Sequence, residues 1–283
     1  MNGLHSWIQW MPLLGGSYHY SLERRLLELA AIGGFVIGVE VLLEGVWLGV
    51  VEELAKAETK SGHPLATGCL LSALLAICGC DLFSGLAHLT ADHLGSESFP
   101  VLGPAVFAPF RRHHRFPLEM TQHDFVETTG HSAVLCCLLL ALRFFLSFFT
   151  SFSLLSRPWL LISDVWLAVF CTALFLTNQF HKWAHSPSAP FLVVLLQRLR
   201  LVLSPHAHAL HHVPPHDRSF CITTGWLNPL LDRLGFWRCI LIFAEHLGFI
   251  SSPSSSSSSS PSSSLIDAEK PHPHLPSNDI LTP

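Results

Sequence analysis

The chain has 283 residues, 49% hydrophobic and only 13% charged, with a mean hydropathy of +0.43. Soluble globular proteins carry about 25% charged residues, so the composition argues against an ordinary soluble domain and for a membrane domain of a few spans. A formal net charge of −4 without a basic cluster argues against a nucleic-acid partner.

Residues 1–25 form an N-terminal segment broken by polar and small residues, with no cleavable-signal pattern. Four apolar runs follow at 26–51, 64–86, 132–152 and 159–180, each near the roughly 20 residues that a spanning helix needs. The first contains Glu40 and Glu44. A mid-bilayer carboxylate is expensive, so both are expected to face protein or lie near a helix end. The short turn Ser153–Pro158 makes the third and fourth runs an antiparallel hairpin. Two further stretches, 191–203 and 226–250, mix apolar with charged residues and read as interfacial helices. From Ser251 the chain is rich in serine and proline, cannot bury a core, and is expected to be disordered over 251–283. The fold class is an all-α integral membrane protein with about four transmembrane helices, its membrane domain covering 26–250.

Alternation of the spans puts His88, His131 and His181 on one face of the membrane. Arg24, Arg25, Arg111, Arg112, Arg115, Arg198 and Arg200 fall on that face, against Lys56, Lys60 and Arg157 opposite. The positive-inside rule makes the histidine face cytosolic. The eight cysteines form no CxxC pairs and lie mostly in apolar runs, which suits buried free thiols.

The cytosolic segments, 88–131 and 181–216, hold most of the chain's chemistry-bearing residues. Histidine is the commonest transition-metal ligand because its neutral ring nitrogen binds without adding charge. His88 with Asp92, and His181 with His185, are four apart and share a helical face. His208, His211 and His212 form an HxxHH set able to aim three rings at one locus. The adjacent pair His113–His114 diverges by about 100° on a helix, so it serves two metals, or one metal and a supporting contact. His123 and His131 lie farther along the same loop, and His206 and His216 flank the HxxHH set. Eight imidazoles and one aspartate exceed the four ligands that satisfy a zinc ion, so the inventory suits two metals. By softness, iron, copper and zinc all fit.

These stretches resemble the Kua-type membrane desaturases, and within them the animal plasmanylethanolamine desaturases. The resemblance rests on Asp81–His88 (DLFSGLAH) with Asp92, Pro109–His114 (PFRRHH), His123–Thr128 (HDFVET), Asn178–His185 (NQFHKWAH), His211–His216 (HHVPPH), Phe220–Asn228 (FCITTGWLN) and Leu234–Arg238 (LGFWR). It covers roughly residues 65–240. It implies a di-iron, O2-dependent enzyme of the endoplasmic reticulum membrane that takes electrons from cytochrome b5. Its substrate would be an ether phospholipid, desaturated to the vinyl ether of plasmalogens. Carried over by position, the metal ligands are His88, Asp92, His113, His114, His181, His185, His208, His211 and His212, with His123, His206 and His216 as secondary candidates. Departures from the family pattern stand at Leu89, Ala207 and His131. Read from the residues alone, the same site suits an acyl-lipid desaturase, a hydroxylase, or a metal-binding or metal-transporting membrane protein.

Overall fold

The computed structural model describes residues 21–56, 63–149 and 157–249; the segment 1–20 and the tail 251–283, with its expected disorder, lie outside the described residues. The first three helices are α1 (Leu22–Lys56), α2 (His63–Leu89) and α3 (Ala108–Arg115). The remainder are α4 (Phe125–Phe149), α5 (Arg157–His185), α6 (Phe191–Arg198), α7 (Pro205–Ala209), α8 (Asn228–Arg233) and α9 (Phe236–His246). Four of these, α1, α2, α4 and α5, are long and apolar enough to cross a membrane, and there is no strand among the described residues.

α1 packs on α4, α2 on α5, and α4 pairs with α5 to complete the bundle. The buried seam of α1 repeats every seven residues, at Glu28, Phe35, Leu42 and Gly49. Lipid tails are as apolar as leucine, so such helices associate through close van der Waals contact, favoured by small residues. Gly34 approaches Cys137 and Gly38 approaches Leu140 for this reason. At about 100° per residue, the same seam leaves Glu40 and Glu44 exposed on the opposite side of α1, well inside the helix. Within this chain the carboxylates therefore face no neighbouring helix and lie near neither end of α1.

The spanning helices run past their apolar cores. α5 continues to His185, and α2 passes directly into one π-helical turn, Thr90–Leu94. α4 starts at Phe125 because Asp124 caps it, its Oδ1 accepting the Glu127 N–H at 3.0 Å. His131 consequently sits within a helix instead of a loop, with Nδ1 3.9 Å from the buried Glu28 carboxylate. The ends carrying His88, His131 and His181 lie together. The His88 and His181 rings are 5.7 Å apart, and Lys182 donates to the carbonyl of His123.

The C-terminal segment closes that end of the bundle. Asp81, fully buried on α2, accepts the N–H groups of Thr224 and Gly225 at 2.9 Å on one oxygen and of Leu227 at 3.1 Å on the other. Gly225 has φ +74°, a conformation that glycine adopts without strain. Ser84 Oγ accepts the Ile222 N–H, and the Asn228 side chain bonds both backbone groups of Cys221 at 2.9 Å. Trp237 of α9 lies against Gly85, where any added Cβ would stand 2.6 Å from its ring. α6 and α9 both present large exposed apolar side chains, among them Phe191, Leu192, Ile242 and Phe243. All eight cysteines are unpaired; four are buried, three half-buried, and Cys239 is exposed.

Candidate metal centre

Nine side chains converge at this end of the bundle. α5 gives His181 and His185, α3 gives His113 and His114, and α2 with its π turn gives His88 and Asp92. α7 and the turn after it give His208, His211 and His212. Their ligand atoms fall into two groups, each with its atoms within 4.8 Å of one another. The first is His113, His181, His185, His208 and His212; the second is His88, Asp92, His114 and His211.

The neighbours His113 and His114 part company, one to each group, as adjacent helical positions must. The HxxHH set does not aim its rings at one locus. α7 ends at Ala209 and the chain turns, so His208 and His212 join the first group while His211 crosses to the second.

In the first group, Nε2 of His208 lies 2.8 Å from Nε2 of His181 and 3.0 Å from Nε2 of His212. Two nitrogens bound at right angles to one ion, each at about 2.1 Å, would stand about 3 Å apart, so these spacings suit ligands of a shared metal. In the second, Asp92 is the hub: its oxygens lie 3.4 Å from His88 Nε2, 3.3 Å from His211 Nε2 and 3.1 Å from His114 Nε2. Of the ten buried side-chain nitrogen and oxygen atoms lacking a hydrogen-bond partner among the described residues, nine belong to these two groups. Buried polar atoms are normally satisfied, and a bound metal in each group would take the Asp92 oxygens and one nitrogen from each ring. The residues present fit two metal ions.

Within the first group, burial favours the neutral ring that metal binding requires. Burial, followed by the neighbouring imidazoles, pushes His113 down to about 2 and His212 down to about 3, and His208 well below the usual histidine range. Two tautomers are fixed by carbonyls, which only accept. His88 Nδ1 donates to Phe220 O at 3.2 Å and His211 Nδ1 to Arg218 O at 2.9 Å, leaving each Nε2 lone pair toward Asp92.

A clasp holds the second group. Arg111 Nε donates to the carbonyls of Ala91 and Asp92 at 3.2 and 3.1 Å, and another of its nitrogens donates to Gly95 O. This ties α3 to the π turn that carries Asp92. His93 Nε2 donates to His216 O, and His216 Nδ1 donates to His211 O, both at 3.0 Å. A cleft of about 290 Å³ lined by Asp92, His93, Arg111, His114, Arg115 and His216 opens beside the group.

The secondary candidates are distributed unevenly. His216 packs its ring 4.4 Å from that of His114, whereas His123 and His206 are exposed and stand apart from both groups. Neither Leu89 nor Ala207, two departures from the family pattern, faces the ligand atoms. Leu89 packs with Phe220 and Trp237, and Ala207 packs against Ala184, Leu203 and Ile222. Sequence reasoning assigned no part in the site to Asp81, His93 or Arg111. Asp81 and Arg111 stood inside resembling stretches, and His93 directly follows a candidate ligand, but only the fold reveals what each holds.

The chain is similar to known proteins. The lipid desaturase domain matches residues 77–248. Over 220 residues the chain is 36% identical to a plasmanylethanolamine desaturase of Myxococcus xanthus, covering 77% of this chain and 71% of the relative. Over 175 residues it is 42% identical to plasmanylethanolamine desaturase 1 of Mus musculus, covering 60% of this chain and 61% of that relative. It is also 31% identical over 186 residues to the chloroplastic fatty acid desaturase 4 of Arabidopsis thaliana, covering 64% and 54%. No solved structure matches.

Proposed function

The chain belongs to the lipid desaturase family, and from that premise we propose that it is an O2-dependent di-iron enzyme that forms the vinyl-ether bond of plasmalogens from a 1-O-alkyl ethanolamine phospholipid. The observation that carries the reading is the pair of groups, eight imidazoles and one carboxylate, which hold nine of the ten buried side-chain nitrogen and oxygen atoms without a hydrogen-bond partner among the described residues. The two relatives named plasmanylethanolamine desaturase support the substrate.

The reaction removes one hydrogen from C1 and one from C2 of the alkyl chain, while O2 takes up these, two electrons and two protons to leave as two waters. When bound, the two irons would activate O2 for hydrogen abstraction from an unactivated carbon, chemistry that no side chain of the protein can supply. The protein's share is positioning. His88 and His211 are oriented by backbone carbonyls, Asp92 supplies the negative charge among neutral rings, and Arg111 fixes Asp92 against His114. The spanning helices hold the alkyl chain at a set depth beneath the groups, and that placement decides whether the second hydrogen is reached.

The arginine excess at the histidine end supports a cytosolic orientation in the endoplasmic reticulum membrane, where cytochrome b5 would deliver the electrons. The plant relative named for fatty acid desaturation favours one competing reading, an acyl chain as substrate. Purified protein given O2, cytochrome b5 with its reductase, and equal amounts of 1-O-alkyl and diacyl ethanolamine phospholipids separates the two. We expect an acid-labile product two hydrogens lighter from the alkyl lipid. Desaturation of the diacyl lipid alone would replace this reading with the acyl one.

A further inference from the structure

The outer face of α1 carries a feature that the proposed reaction does not use. Glu40 and Glu44 stand one helical turn apart, both exposed, on the side away from the seam at residues 28, 35, 42 and 49. The antiparallel α1–α5 pair sets their depth. Phe35 stacks on Phe175 with centroids 4.4 Å apart, and Gly49 lies against Leu161. Both carboxylates fall between those levels, within the stretch Pro158–His185 over which α5 is long and apolar enough to span. Around them Val36, Ile37, Trp47 and Leu48 are exposed apolar side chains. Ionisable groups at such depth rarely face lipid; they pair with one another or with protein.

Among the described residues no cation pairs with them. Neither carboxylate has a hydrogen bond or ion pair among the described residues. Arg25 is 15 residues away along α1, about 22 Å, and Lys56 is 12 residues beyond Glu44, about 18 Å. Within the other spans, Arg143 is closed into a two-point pair with Asp164 at 2.6 and 2.8 Å, and Lys182, at the histidine end of α5, donates to the carbonyl of His123. Residues 1–20 contain neither lysine nor arginine. A second copy meeting this face about a two-fold axis would set carboxylate against carboxylate.

We propose that the Glu40–Glu44 face of α1 docks a membrane-spanning helix of another protein that carries a basic side chain at mid-depth. The carboxylates supply the charge and acceptors for that side chain, and the surrounding apolar residues pack on the helix bearing it. The inference stands on α1 alone and does not depend on the catalytic reading.

The test uses the full chain, fluorescently labelled and reconstituted in phosphatidylcholine vesicles, with synthetic leucine-rich spanning peptides as probes. One peptide carries a central lysine, one a central leucine and one a central glutamate. Energy transfer should report association with the lysine peptide about tenfold tighter for the unmodified protein than for the Glu40→Gln/Glu44→Gln variant, with no such difference for the leucine peptide. Because both positions are exposed, the variant should keep the helix content and metal content of the parent. A Glu40→Lys/Glu44→Lys variant should switch its preference to the glutamate peptide. Equal lysine-peptide binding by parent and Gln variant would overturn the proposal. So would energy transfer between copies of the parent that disappears in the Gln variant, since that would make the face a self-association surface.

Discussion

At the scale of single residues, the two ligand groups make distinguishable claims. His185 closes the first group from the last turn of α5, at the bundle's end and away from its apolar core. His185→Ala should abolish product while the protein accumulates to within about twofold of normal, read by lipid analysis and immunoblot. Arg111 touches no ligand atom but holds the backbone around Asp92. Arg111→Gln should therefore lower bound metal from about two ions per chain to about one, restored by excess metal during reconstitution; two tightly held ions in that variant would remove the clasp. Protonation supplies a further check. His113, His208 and His212 have pKa values depressed by burial and by one another. Between about pH 3 and the unfolded histidine value near 6.5 the unfolded chain thus binds more protons, and stability falls as pH falls through that window. The metal-free protein should have a constant Tm above pH 7 and a falling one from pH 7 to 5. The ligand residues themselves were legible, since imidazoles four apart on helix ends, together with the family resemblance, singled out all nine. Their division into two groups was not, because it depends on α7 stopping at Ala209 and on a π turn after Leu89, and neither event has a spacing signature.

At the scale of elements, the C-terminal segment is fastened to α2 by a few buried polar contacts. Asp81 alone satisfies three backbone N–H groups. Asp81→Ala would leave those donors buried and unpaired, at a cost of about 3 kcal/mol or more, and should reduce accumulation of the protein severely. Asp81→Asn, which keeps a carbonyl oxygen, should be milder; equal accumulation of Asp81→Ala and the parent would show that the lock is dispensable. The sequence displayed the two halves of this lock as separate resembling stretches without revealing that they bind one another. The spanning helices were legible from their apolar runs, but their ends were not. α4 begins at the Asp124 cap, ahead of its apolar run, and α5 carries its helix through the polar residues to His185. Burial of His181 and capping interactions extend these helices beyond what hydrophobicity alone marks.

At the scale of the whole molecule, a bundle of four apolar helices holds the metal centre at one end and closes it with the C-terminal segment. Metal is expected to be part of that closure, because the groups join α2, α3, α5 and the α7 turn and hold nine of the ten buried polar side-chain atoms without a hydrogen-bond partner among the described residues. Removing metal by chelation should lower the Tm and open the segment around residues 205–216 to proteolysis, and adding iron back should reverse both. The general class, a helical membrane protein with a histidine-rich end, followed from composition and alternation. The outward placement of Glu40 and Glu44 did not, because an apolar run does not disclose which of its faces the bundle buries. The most direct test of the central claim is vinyl-ether lipid measured by mass spectrometry in cells that lack their own desaturase. The cells are fed an alkylglycerol and supplied with either this protein or its His185→Ala variant. Vinyl-ether phospholipid from the parent and none from the variant is the predicted result; no vinyl ether from the parent, with the protein present in the membrane and loaded with iron, would contradict it.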